Sequence, residues 1–443
     1  MTPEKLKARV YQAIDRRRNE IAEIGETIMT RPELGFKEFR TAALVRDWFA
    51  ALDLPHRTGL GITGVKARLG SGRPGPAVAL IGELDALIVS SHPQADPATG
   101  AAHACGHNAQ IAALLGAAMG LVDADAIPHL SGDIVFFAVP AEEYVEVEYR
   151  SGLMEQGKVE FLVGKPELIR LGEFDDIDMA LMIHTSGSSE ECKAGMVDSL
   201  NGCIVKQIRY VGKEAHAGGA PEQGINALYA AHVAIAAINA IRETFRDQDC
   251  IRVHPIITKG GDLVNVIPAD VRLETYVRGR GIDAIEIANL RVDRALRAGA
   301  LALGAQVEIR TLPGDFPLIN DPRMSELFKQ NALPLIGGEK EYAEGGHRAG
   351  STDMGDVSYI MPSLHPFMAG ASGNNHTKEW HISDPEKGYV WPAKCLAAMA
   401  IDLLYGNASA ACSVLESSKP RMTKEEYLAF QRRMKKVEMF RGE

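Results

Sequence analysis

The sequence predicts an α/β fold carrying an inserted α+β domain, and three observations carry that expectation. Residues 77–82, Asp133–Val139 and residues 177–183 are short, continuously apolar runs, as strands covered on both faces tend to be. A helical pattern over residues 111–121 lies between the first two, so helices alternate with buried strands. After about Leu200 the pattern changes to strand, helix, two strands, helix, strand, the signature of a compact ferredoxin-like insertion.

Taken in order, residues 4–29 read as one amphipathic helix and residues 41–52 as another. In the insertion, residues 203–211 alternate as a half-buried strand, and residues 226–245 form a long helix rich in Ala and Ile. Strands follow at 251–258 and 271–277, then a helix at 283–303 and a strand at 306–312. The chain then returns to α/β material, with a strand over 363–369 and a helix over 385–404. The tail from Ser417, rich in Lys, Arg and Glu, reads as a solvated helix. The expected division is a discontinuous catalytic domain, residues 1–199 and 314–443, with an inserted lid at 200–313.

Composition narrows the function. A net charge of -10, with no run of Lys and Arg of patch size, argues against a nucleic-acid surface. No apolar run approaches the roughly 20 residues that span a bilayer, and the charged start at Met1–Lys7 lacks an apolar signal core. The six cysteines are scattered without paired spacing, which points to a reducing, cytoplasmic setting.

The residues with chemistry gather at predicted strand ends. Glu83 and Asp85 follow the first run, Glu142 and Glu143 the second, and His184 the third; Cys105 and His107 open the intervening helix. Open α/β sheets bind ligands at the carboxyl ends of their strands. Taken alone, Cys105-Gly106-His107 could be a buried thiol at a helix start. Set beside His103, Glu142, Glu143, His184 and later histidines, it reads as a metal site. Thiolate, imidazole and carboxylate suit Zn²⁺, and also Mn²⁺ or Co²⁺.

His103-Ala104-Cys105-Gly106-His107, Pro140-Ala141-Glu142-Glu143 and the strand ending in His184 together resemble the amidohydrolase branch of the aminoacylase and glutamate-carboxypeptidase metallopeptidases. That branch includes p-aminobenzoyl-glutamate hydrolases, auxin-conjugate hydrolases and β-alanyl-lysine dipeptidases. Gly212 to Ala217, Gly224 to Leu228, Asn265 to Pro268, Ser351 to Ser358 and His376-Thr377 extend the resemblance over most of the chain. It implies a mixed-sheet α/β/α catalytic domain of the phosphorylase/hydrolase-like type with a ferredoxin-like lid, pairing into a homodimer through the lid. It also implies two divalent ions, with Cys105 bridging them, His107 and Glu143 on one, and His184 and His376 on the other. Glu142 would be the general acid and base, and Asp85 would hold a ligand imidazole. His216, from the partner's lid, would stabilise the oxyanion, with Asn265 nearby and Arg278 on a substrate carboxylate. The implied substrate is an N-acyl or aryl-acyl amino acid, or a dipeptide on the same machinery.

Some features depart from the pattern or leave choices open. Glu83 stands where other branches have a ligand histidine, which the cysteine arrangement would replace. His381 is the rival of His376 as the late ligand. Asn108 and Gln110 stand where auxin-conjugate hydrolases have Asp and His, and bulky Tyr144 to Arg150 replaces glycines after Glu143. His92, His129, His232, His254 and His365 read as structural or surface histidines. Two other function classes are weaker. A thiol enzyme using Cys105 and His107 leaves the carboxylates idle, and a metal-stabilised binding protein has no need of Glu142.

Overall fold

The computed structural model describes residues 1–187 and 192–442 and divides into two compact units. The first comprises Met1–Asp198, Ile319–Gly346 and Asp356–Lys424; the second comprises Ser199–Leu318, His347–Gly355 and the chain from Glu425 onward.

The first unit is built on a six-stranded mixed sheet in the order His56–Leu60, Gly64–Gly70, Asp133–Val139, Ala77–Glu83, Met179–Leu181, Ser363–Leu364. The first two strands pair antiparallel, and the last four run parallel to one another. Every residue of Ala77–Glu83 is buried, as its unbroken apolar composition requires of a central strand. The helix His107–Asp123 is buried on all sides from His107 to Leu121, and it packs among Pro3–Arg16, Arg18–Met29 and Trp391–Leu404. Small residues permit that approach: a Cβ at Gly120 would lie 2.4 Å from Ile14 Cγ1.

Parallel pairing brings the carboxyl ends of Ala77–Glu83, Asp133–Val139 and Met179–Leu181 to one rim. That rim therefore carries Glu83, Asp85, Glu142, Glu143 and His184. A second, four-stranded sheet orders Tyr342–Glu344, Ala194–Met196, Phe367–Ala369 and His184–Ser186. The strand expected over 363–369 is thus two short strands in different sheets, divided around Pro366, which has no N–H to give a ladder. The helix expected over 4–29 is likewise two, interrupted at Arg17, where the backbone leaves the helical region (φ -102, ψ 11).

In the second unit Gly202–Val211 lies between Asp270–Gly279 and Gln306–Pro313, antiparallel to both. The helices Ala227–Ile241 and Ile282–Leu303 share a core with Ile204, Ile208, Tyr210, Leu273 and Val307 from that sheet. The observed order is the expected one, but the strand at 251–258 breaks around Pro255 into Arg252–Val253 and Ile256–Lys259.

The tail differs from its expected solvated helix. Lys424–Met434 buries Tyr427, Leu428 and Gln431, and Lys436–Arg441 then adds an edge strand beside Gln306–Pro313. Its charged composition hides a period-2 pattern in which Glu438 reaches Arg297 at 2.5 Å and Phe440 packs on the core. Among the described residues, no helix is long and apolar enough to cross a membrane.

Candidate metal centre

Cys105 and His107 flank Gly106, whose left-handed backbone (φ +93) turns the chain into the buried helix. A Cβ there would lie 3.0 Å from that of Thr185, so the turn fits closely against the strand carrying His184. Ala141 also adopts a left-handed conformation (φ 52), costly for a residue with a Cβ. Its N–H donates to Glu38 Oε1 (2.7 Å), and its carbonyl accepts from Gly164 N (2.9 Å). That turn presents Glu142 and Glu143. His376 is left-handed as well (φ 65), with its N–H bonded to Ala104 O at 2.8 Å.

These turns bring distant side chains together. Cys105 Sγ lies 3.4 Å from His184 Nε2 and 3.3 Å from His376 Nε2, and His376 Nε2 lies 3.2 Å from Glu143 Oε1. Three sets of potential donor atoms each fall within 4.8 Å: Cys105 with His107 and His184, Cys105 with Glu143 and His376, and Glu83 with His107 and Glu142. Two donors held tetrahedrally by one ion at ordinary Zn–N and Zn–S lengths stand about 3.3–3.6 Å apart, so the observed spacings suit a shared ion. The grouping sets His184 beside His107 and Glu143 beside His376, whereas the resemblance paired His107 with Glu143 and His184 with His376. Attraction between the Glu143 carboxylate and the His376 imidazolium accounts for their contact.

One donor atom in particular suits a cation: His107 Nε2 is buried without a hydrogen-bond partner, a cost that a bound ion would relieve. His107 Nδ1 is held by Asp85, 2.8 Å from its carbonyl oxygen and 3.2 Å from Oδ1. His184 Nδ1 is held by Thr185 O at 2.9 Å. Both rings therefore turn Nε2 towards the centre, the arrangement in which neighbouring acceptors orient metal-binding imidazoles. Asp85 is fully buried, and its Oδ2 also accepts from Glu143 N (3.0 Å), so one carboxylate positions two candidate ligands.

Charge is concentrated here. Burial and Glu143 disfavour the Cys105 thiolate, but His184 and His107 outweigh them and bring the thiol down to about 6. Burial also disfavours the Glu143 carboxylate, yet His376 holds it down to about 2; Glu143 in turn raises His376 to about 11. His107 is raised well above its ordinary value: burial opposes this, and Glu83 and Asp85 overcome it.

The two candidate late histidines lie in different surroundings. His376 meets Cys105, while the exposed His381 places Nδ1 2.9 Å from Glu379 O. Sequence reasoning missed two neighbours of this centre. His365 is buried with its ring 5.7 Å from that of His184 and its Nε2 unpartnered. Lys165, fully buried, ion-pairs with Glu83 at 2.5 Å. A lysine entering an apolar stretch such as Phe161-Leu162-Val163-Gly164-Lys165 was the available signal, because a charge buried there needs a partner.

In the second unit, His216 and Asn265 are neighbours: Ala217 N donates to Asn265 O (2.9 Å), and His216 bridges to Val266. His216 Nδ1 accepts from Gly218 N (3.1 Å) and Gly219 N (2.9 Å), so the neutral ring carries its proton on Nε2. Arg278 is half-buried with its guanidinium 5.4 Å from the Tyr276 ring. It lies opposite Cys203, while the start of its strand, Asp270, lies opposite Val211 just before the His216 loop. Eight residues of strand, about 27 Å, separate the two ends.

The chain is similar to known hydrolases and peptidases. Over 424 residues the chain is 28% identical to the Xaa-Arg dipeptidase of Mus musculus, covering 91% of this chain and 90% of that protein. It is 28% identical over 351 residues to one of the subunits of the p-aminobenzoyl-glutamate hydrolase of Escherichia coli, covering 74% of each. In fold it is similar to a dinuclear metal-binding M20 peptidase of Bacillus subtilis, with a TM-score of 0.64, 20% identity, and coverage of 88% of this chain and 99% of that one. Residues 79–401 match the family described as peptidase family M20/M25/M40, and the chain belongs to that family.

Proposed function

We propose that this chain is a dinuclear metal-dependent amidohydrolase that cleaves the amide of an N-acyl or aryl-acyl amino acid. The observation that carries this reading is the convergence of Cys105, His107, Glu143, His184 and His376, with Glu142 Oε2 only 3.9 Å from His107 Nε2. Two divalent ions, Zn²⁺, Mn²⁺ or Co²⁺, would polarise the scissile carbonyl and make water a nucleophile near neutral pH. Cys105 belongs to two donor groups and would be shared between the ions. Glu142 takes the proton of the attacking water and passes it to the leaving amine. His216 Nε2–H donates to the carbonyl oxygen as negative charge builds there. Arg278 receives a substrate carboxylate through its fork, with Asn265 beside His216.

Pairing into a homodimer through the lid, with His216 reaching the partner's centre, is part of this reading. The scattered spacing of the six cysteines favours a cytoplasmic enzyme. The second reading is a metallo-dipeptidase on the same site, favoured by the near full-length likeness to the Xaa-Arg dipeptidase.

The test is Glu142→Gln in protein loaded with Zn²⁺ or Mn²⁺, assayed on a panel of N-acyl amino acids and dipeptides. The expected variant keeps both ions and loses turnover. Turnover equal to wild type would remove Glu142 from the mechanism, and the panel ranks the two substrate classes.

A further inference from the structure

Glu83 is buried beside His107, in contact with the buried Lys165. Its carboxylate is 1% exposed and held on both oxygens: Lys165 Nζ lies 2.5 Å from Oε1, and Gln110 Nε2 donates to Oε2 at 2.9 Å. Gln110 Oε1 also accepts from Glu83 N (3.0 Å), so the Gln110 amide clamps this residue at backbone and side chain together. The clamp aims Oε2 at His107 Nε2, 3.0 Å away. His107 Nδ1 is taken by Asp85, and its buried Nε2 has no hydrogen-bond partner. Glu83, His107 and Glu142 each offer a donor atom, and these atoms lie within 4.8 Å of one another. The 3.0 Å separation is within reach of one ion at metal–donor lengths of about 2.0–2.2 Å.

We propose that Glu83 is a further carboxylate donor to the ion held at His107, with Lys165 and Gln110 fixing its geometry. The inference rests on the metal-centre reading. It also changes the expectation that Cys105 replaces any donor at the Glu83 position: the carboxylate remains part of the donor set. Gln110 and Lys165 act as positioning residues that share the carboxylate without displacing its aim.

Glu83→Gln alone would leave Lys165 buried without its counter-charge, so the informative variant is Glu83→Gln with Lys165→Met, which removes both charges. The measurement is Zn²⁺ affinity by competition with a chromophoric chelator, with bound zinc counted per chain. Wild type is expected to bind two ions, and the double variant to bind one of them at least about 10-fold more weakly. If the double variant binds two ions at wild-type affinity, Glu83 is only the counter-ion of Lys165, and this inference fails while the metal-centre reading stands. If wild type itself binds no zinc, the parent reading fails. Should the double variant not fold, Glu83→Asp keeps the charge but withdraws the carboxylate by one methylene. The same weakening is then expected, and unchanged affinity overturns the proposal.

Discussion

Asp85 makes the sharpest case for a carboxylate that positions ligands without being one. It is wholly buried, its Oδ2 accepts from Glu143 N at 3.0 Å, and its Oδ1 lies 3.2 Å from His107 Nδ1. Asp85→Ala removes the acceptor for Glu143 N, and leaving such a donor buried and unpaired costs about 1–3 kcal/mol. It also frees Glu143 and loosens His107, and loss of this kind of support lowers metal affinity about 10–100-fold, or about 1.4–2.7 kcal/mol. Asp85→Asn should separate the two effects. Its amide oxygen still accepts from Glu143 N, so stability stays close to wild type. Its loss of charge weakens the hold on His107, so metal affinity still falls. Chelator competition gives the affinity, and urea unfolding of metal-free protein gives the stability. Both variants binding metal within twofold of wild type would refute the positioning role.

The same geometry sets three further expectations. His216→Ala removes an exposed ring whose Nδ1 accepts from Gly218 N and Gly219 N; it should lower kcat by about 10²–10³ and leave the unfolding midpoint in place, and an unchanged kcat would exclude His216 from the reaction. Lys206 is buried in the second unit, 2.6 Å from Asp293 and 2.7 Å from Thr311. Lys206→Met alone should cost about 3–5 kcal/mol in urea unfolding, most of it recovered by adding Asp293→Leu; an additive second loss would contradict the pairing. Asp270 is held down to about 2: burial opposes this, and bonds from Arg209 and Lys259 overcome it. A depressed carboxylate stabilises the fold fully above its ordinary value of 3.8 and loses that contribution as pH falls towards 2. Asp270→Asn should therefore be less stable than wild type at pH 6, the gap closing between pH 4 and pH 2, and a gap independent of pH would contradict the assignment.

Much of the centre was legible because its residues sit next to local signals. Glu83, Asp85, Glu142, Glu143 and His184 each follow an apolar strand, and parallel pairing carries strand ends to one rim without further information. The Cys105-Gly106-His107 spacing needed only a glycine able to turn left-handed. What stayed hidden depends on contacts far apart in sequence. Lys165 meets Glu83 across 82 residues, and His365 approaches His184 because Phe367–Ala369 pairs with His184–Ser186. The C-terminal strand was hidden for a different reason: in Lys436–Arg441 only alternate residues face the core, so charged composition masked a strand that tertiary pairing completes.

The proposed chemistry requires Cys105 to lie between two cations, with His107, Glu143, His184 and His376 completing their donor sets. Anomalous diffraction from crystals of Mn²⁺-loaded protein reads this out without an assay of activity. Two peaks about 3.5–4 Å apart are expected, both within bonding distance of Cys105 Sγ. Manganese bound elsewhere, with no peak at Cys105, would contradict the shared-thiolate centre.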